Sequence, residues 1–188
     1  MKKLLEINKR KLMVTITALF MLIVSATAFA TTYTTAYSTT YNGQIAVRYE
    51  LNIDSSRKLV SINYGGSRSW RNNNPGNLKY GSFASSNGAI GTDGQFAIFP
   101  NYDTGYNAKK TLITTTYRDY TIEAMMNKYA PPSENDTAAY IRYIVSKTGM
   151  PASTYIRDMN SSQLNSLLDA MKQYEGFVVG STTTFVEG

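Results

Sequence analysis

Residues 160–176 read NSSQLNSLLDAMKQYEG, the pattern of an amphipathic helix from cap to stop. Asn160 suits an N-cap, and Gln163 stands three positions on, where a capping box needs it. Leu164, Leu167, Leu168 and Met171 then recur at the spacing of one helix face. At about 100° per residue they fall within roughly 100° of one another, and Glu175 falls near the middle of that stripe. Gly176 is a natural C-terminal stop. A carboxyl aimed at the core from the last helical turn makes little structural sense without a task. Against apolar groups, at the negative end of a helix, it is disposed to stay protonated, as a general acid must.

Toward the N-terminus the same period recurs. Asn135-Asp136 caps a helix with Ile141, Ile144, Val145 and Thr148 along one side and Gly149 at its end. Before it, Thr121 caps a helix carrying Ile122, Met125, Met126 and Tyr129, which Pro131-Pro132 stops. Asp103-Thr104-Gly105 opens a third, with Tyr106, Leu112, Ile113 and Tyr117. Residues 95–99 form a short strand ended by Pro100, and residues 70–94, rich in Asn, Gly and Ser, predict loops and short strands. These elements define a chiefly helical main domain over residues 67–180, with the Thr-rich residues 181–188 as a flexible tail.

Ahead of that domain the period changes to two. Ile45, Val47, Tyr49, Leu51 and Ile53 alternate with Gln44, Ala46, Arg48, Glu50 and Asn52, a half-buried strand. Asn42-Gly43 is a hairpin-turn dipeptide, so the Thr/Tyr-rich stretch before it is the partner strand. A two-residue loop sets Tyr41 opposite Gln44, Tyr37 opposite Arg48 and Tyr33 opposite Asn52. Residues 58–64 read as a third strand and Gly65-Gly66-Ser67 as a hinge, which makes residues 31–66 a small β-meander. The face bearing Tyr33, Tyr37 and Tyr41 suits stacking on sugar rings, or packing on the main domain.

Residues 1–30 read as an address. Lys2, Lys3, Lys9, Arg10 and Lys11 precede an apolar stretch at residues 12–24 and an Ala28-Phe29-Ala30 cleavage signature. That stretch is short for a membrane span, so the expectation is a secretory signal peptide and a mature exported protein beginning at Thr31. The formal charge of +6 over 188 residues shrinks accordingly, since residues 31–188 hold 14 basic and 12 acidic residues. Nucleic-acid binding by charge is not expected, nor membrane association once the signal is cleaved. The chain has no His and no Cys, which excludes thiolate nucleophiles, His-based triads, disulfides and zinc fingers. No cofactor or metal is expected, and any chemistry must run on carboxylates, Tyr, Lys, Ser/Thr or the backbone.

The segments RNNNPGN at residues 71–77, FAIFP at 96–100 and YAPPSENDT at 129–137 resemble a phage-associated family, often labelled virion structural proteins, of lysozyme-fold muramidase type. A second likeness is to flagellar-type glucosaminidases, whose catalytic Glu closes a helix and is followed by Gly and then an Asn-Leu loop. Here Asn77-Leu78 holds the place of that loop, while Glu175-Gly176 sits at the other end of the domain. The likeness therefore implies a circularly permuted order. Together these resemblances imply an α+β protein: a mainly helical lysozyme-like domain preceded by the antiparallel meander. They imply an exported enzyme, muramidase, glucosaminidase or lytic transglycosylase, that cleaves β-1,4 bonds in peptidoglycan glycan strands.

On that reading Glu175 protonates the departing oxygen. Asn72, Asn73, Asn74 and Asn77 shape the sugar site, with Tyr80, Tyr129, Tyr140 and Glu134 beside them. Asp93 is the candidate second carboxylate, with a turn role as its alternative. Without a second acid the substrate's own hydroxyl can close the reaction. A non-catalytic glycan-binding or assembly protein of the cell envelope is the other reading of the same residues.

Overall fold

The computed structural model describes residues 32–188, so the expected signal peptide lies outside the described residues. Residues 33–188 form one compact unit. Strand β1 (Thr35–Tyr41) and strand β2 (Gln44–Asn52) make the expected hairpin, with Asn42 and Gly43 both at positive φ, 50° and 73°. Tyr41 pairs with Gln44 and Tyr37 with Arg48. Tyr33 departs from the expected face: a bend at Thr34 breaks the alternation, and its ring packs 5.6 Å from that of Tyr49. β3 (Lys58–Tyr64) runs antiparallel to β2.

The expected mainly helical lysozyme-like domain behind a separate meander is overturned by the rest of the sheet. Residues 181–187, expected as a loose tail, form β6 (Ser181–Glu187) and pair with β3 along its whole length. β4 (Gly91–Thr92) pairs parallel with β1, and β5 (Ala97–Ile98) antiparallel with β4. The result is one six-stranded mixed sheet, ordered β5-β4-β1-β2-β3-β6, built from the start, middle and end of the described chain. Thr-rich residues 181–184 do not fray because β3 offers them an unpaired edge. Helix accounts for roughly 39% of the described residues and strand for roughly 24%, an α+β balance rather than a helical one.

Both faces of this sheet carry apolar residues, as period two requires. Ala36, Val47 and Tyr49 pack with Ile98 on one face; Ala46, Val60 and Ile62 cluster with Tyr41 and Tyr64 on the other. On the second face Glu50 is buried and accepts from Tyr37 Oη (2.9 Å), Arg48 Nε (2.7 Å) and Lys58 Nζ (2.8 Å). Arg48 also pairs with Glu187, so one carboxylate links β1, β2 and β3 and, through Arg48, β6.

Two short helices, α1 (Arg68–Arg71) and α2 (Ser82–Ser86), fall where loops were expected. The longer ones follow the sequence pattern: α3 (Tyr102–Thr116), α4 (Ile122–Tyr129), α5 (Thr137–Thr148) and α6 (Ser161–Tyr174). Asn101 caps α3, leaving Asp103 in its first turn, whereas Thr121, Asp136 and the Asn160/Gln163 box cap the others as expected. Ile113, Met125, Met126, Ile144, Leu167, Leu168 and Met171 are fully buried at their common centre. No helix among the described residues is long and apolar enough to cross a membrane.

The ends of the helical part are drawn together where the chain enters and leaves the sheet. A Cβ on Gly66 would lie 2.6 Å from Val178 O and Gly180 N, and one on Gly180 would lie 2.5 Å from Tyr64 O. Only glycine permits two backbones to cross this closely. The crossing sets the end of α6 beside the start of α1.

Candidate functional site

Glu175 is the C-cap of α6, and Gly176, at φ 70°, turns the chain away. The carboxylate faces the loop after α1 despite a sequence separation of 98: Asn77 Nδ2 donates to Oε2 at 3.0 Å. Tyr140 Oη lies 2.7 Å and Tyr129 Oη 3.4 Å from Oε1, and Lys109 Nζ lies 3.6 Å from it. The surroundings are thus more polar than the helical stripe implied. Residues from α3, α4, α5 and the Asn loop converge on one side chain, itself 12% exposed.

Each tyrosine hydroxyl has one proton to give. Tyr129 gives its proton to Gly76 O at 2.5 Å, which turns an oxygen lone pair toward Glu175. Tyr140 has Glu175 and Met171 O (3.1 Å) in reach, the carboxylate being the nearer. Burial first, and the adjacent Glu175 charge second, push both phenol pKa values up, so both remain donors.

Lys109 is fully buried, and sequence reasoning did not single it out. Its Nζ also donates to Pro75 O at 3.3 Å. Its stem runs against Gly76, where a Cβ would come within 2.7 Å of Lys109 Cδ. Burial pulls its pKa below the ordinary lysine value, with the Glu175 charge as the main force opposing that fall. The signal that finds it is the one that found Glu175: Lys109 lies three residues after Tyr106 and four before Ile113, on the apolar stripe of α3.

Glu175 stands in an open groove of about 470 Å³, inside the range of small-molecule clefts. Asn77, Tyr129, Tyr140 and Glu134 line it with Glu175, joined by Phe96, Gln95, Lys79 and Lys128. Glu134 sits at the rim with its side chain 61% exposed, 3.9 Å from Lys79. Five of the sequence-derived candidates therefore meet in one place.

The others do not. Asn74 is fully buried, with Nδ2 donating to Leu78 O and Ala97 O and Oδ1 accepting from Leu78 N. Asn73 donates to Phe99 O, and Asn72, buried, donates to Asp93. These amides hold the loop in shape and offer it no sugar-facing group. Asp93 lies in a separate cavity, with Oδ1 accepting from Gln95 N and Phe96 N. Burial works to raise its pKa, but those bonds, Asn72 and Arg68 together hold it below the ordinary value. Tyr80 is 49% exposed and does not line the groove.

The described residues thus define an α+β protein with a hydrogen-bonded carboxylate lining an open groove of mixed polar and apolar surface. Among known proteins, Protein P5 of Pseudoalteromonas phage PM2 is 33% identical over 98 residues, 48% of this chain and 61% of that protein. The chain spans less than two thirds of that relative's length. No protein-family model matches the chain. No solved structure matches it either.

Proposed function

We propose that this protein is an exported glycosidase that cleaves β-1,4 bonds in peptidoglycan, with Glu175 as its general acid. The observation that carries the reading is the fixed position of Glu175 in the groove, oriented by Asn77, Tyr140, Tyr129 and Lys109. A glycan strand laid along the groove meets aromatic faces and amide or ammonium donors, the groups that bind sugars. Glu175, protonated when substrate binds, gives its proton to the glycosidic oxygen as the C1–O bond breaks, and the carboxylate it becomes is held by the Lys109 ammonium. The sugar cation is then met by water, with Glu134 as the second carboxylate of the groove, or by the substrate's own hydroxyl.

A second reading, a non-catalytic glycan-binding protein of the envelope, is favoured by one feature. The buried Lys109 gives Glu175 a structural partner. A zymogram on purified cell walls separates the two. The enzyme reading expects a clearing band from the wild type and at least about a hundredfold less activity from Glu175→Gln, with the fold kept. Sacculus binding without clearing supports the second reading. Anhydro-sugar ends in the products mark transglycosylation, whereas reducing ends that vanish in Glu134→Gln mark hydrolysis.

A further inference from the structure

A second cavity, of about 440 Å³, opens between the β1–β2 hairpin and α1. Val47, Ile45, Ser38, Thr40, Arg68 and Arg71 line it. Asp93 is its one carboxylate among the described residues, and it is saturated. Two backbone N–H groups occupy Oδ1, while Asn72 Nδ2 (2.9 Å) and Arg68 Nε (3.3 Å) occupy Oδ2. Arg71 spends Nη1 on the neutral carbonyls of Gly65 and Gly66. One guanidinium charge is left without a counter-charge. Burial first, and the nearby Arg68 second, weaken the hold of Arg71 on its proton, with Asp93 opposing both. A ligand carboxylate would relieve the repulsion between the two arginines, and Arg is the side chain best shaped to receive one.

This cavity adjoins the groove of Glu175. Arg68 donates to Gln95 Oε1 at 3.4 Å and lies 5.1 Å over the Phe96 ring, and both of those residues line the groove.

We infer that the Arg68/Arg71 cavity binds a carboxylate of the peptide that branches from the glycan lying in the groove. The inference rests on the glycosidase reading above and adds its substrate selectivity: the sugar chain occupies the groove, and its acidic branch crosses Phe96 to the two arginines.

The test compares two probes, soluble glycan–peptide chains with free carboxylates and the same chains with those carboxylates amidated. Binding is measured on the full chain carrying Glu175→Gln, so that neither probe is cut. The free-carboxylate chain should bind about tenfold tighter, as a partly exposed charge-assisted pair allows. Adding Arg71→Gln should bring the two within about twofold while the affinity for the amidated chain stays as it was. Because Arg71 also ties residues 65–66, Arg68→Gln supplies an independent variant, and Arg71→Lys should retain part of the preference. Equal binding of both probes, or a preference that survives both Arg→Gln changes, overturns the inference and leaves the glycosidase reading standing. If neither probe binds at all, both readings fall.

Discussion

Lys109 and Glu175 each sit on the apolar stripe of a helix, and each is the other's charged partner. Breaking a buried ion pair from one side strands the remaining charge. Lys109→Met should therefore lower unfolding stability by about 2–4 kcal/mol, toward the lower end because Glu175 still borders the groove. Denaturant melts of the variant check this. The converse change, Glu175→Gln, removes the main force holding the Lys109 pKa up. The Lys109 side-chain NMR titration should then shift to lower pH. A lysine whose pKa is lower folded than unfolded costs stability below its folded pKa, and that cost fades as pH rises to the unfolded value. The stability deficit of Glu175→Gln should accordingly be largest near neutral pH and shrink in alkali. A deficit that grows with pH would mean the pair is not coupled.

At the scale of elements, the four long strands are bound by side chains as well as by their ladders. Lys58, then Arg48, then Tyr37 hold the Glu50 carboxyl down to about 2, against the opposing effect of burial. A lowered acid contributes stability above its unfolded pKa and loses it as pH falls through the folded value. The window is thus from the ordinary glutamate value down to about 2. The loss should be about 2–3 kcal/mol, discounted for the solvent around Lys58. Urea melts between those limits should show it in the wild type and not in Glu50→Gln. The hairpin and three of the four long-helix caps were legible because Asn42-Gly43, Thr121, Asp136 and Asn160 act on neighbours within a few residues. Glu50 was not. Its partner Arg48 lies two residues away, but Lys58 and Glu187 reach it or Arg48 only through strand pairing. The same holds in the groove: Asn77, Tyr129, Tyr140, Glu134 and Glu175 were named from their own segments. The inward turn of Asn72, Asn73 and Asn74 depends on the Asp93 carboxylate and on the carbonyls of Phe99 and Ala97, which no local pattern discloses.

For the whole molecule the sheet is what closes the site, because β6 begins five residues after Gly176 and pairs with the strand that leads into α1. Removing residues 181–188 should leave the helical core folded, lower its melting temperature and cut any wall-clearing activity, since β6 then no longer anchors the Val178–Gly180 segment that crosses Gly66 and follows Glu175. Removing residues 31–64 is a harsher change. It takes away Ala36, Val47 and Tyr49, the cover of the fully buried Ile98, and the hydroxyl that Tyr49 donates to Arg71 O at 2.5 Å to anchor α1. It also leaves β6 unpaired and β4 with β5 alone. Burial of a large apolar side chain is worth about 1.5–3 kcal/mol, so Val47, Tyr49 and Ile98 alone represent about 5–9 kcal/mol. That equals much of the net stability of an ordinary domain, about 5–15 kcal/mol. The deletion should abolish the cooperative thermal transition seen by circular dichroism and expose the amides of α3 to rapid hydrogen exchange. A deletion protein that still melts cooperatively would restore the boundary at residue 66 and make the strands an appendage.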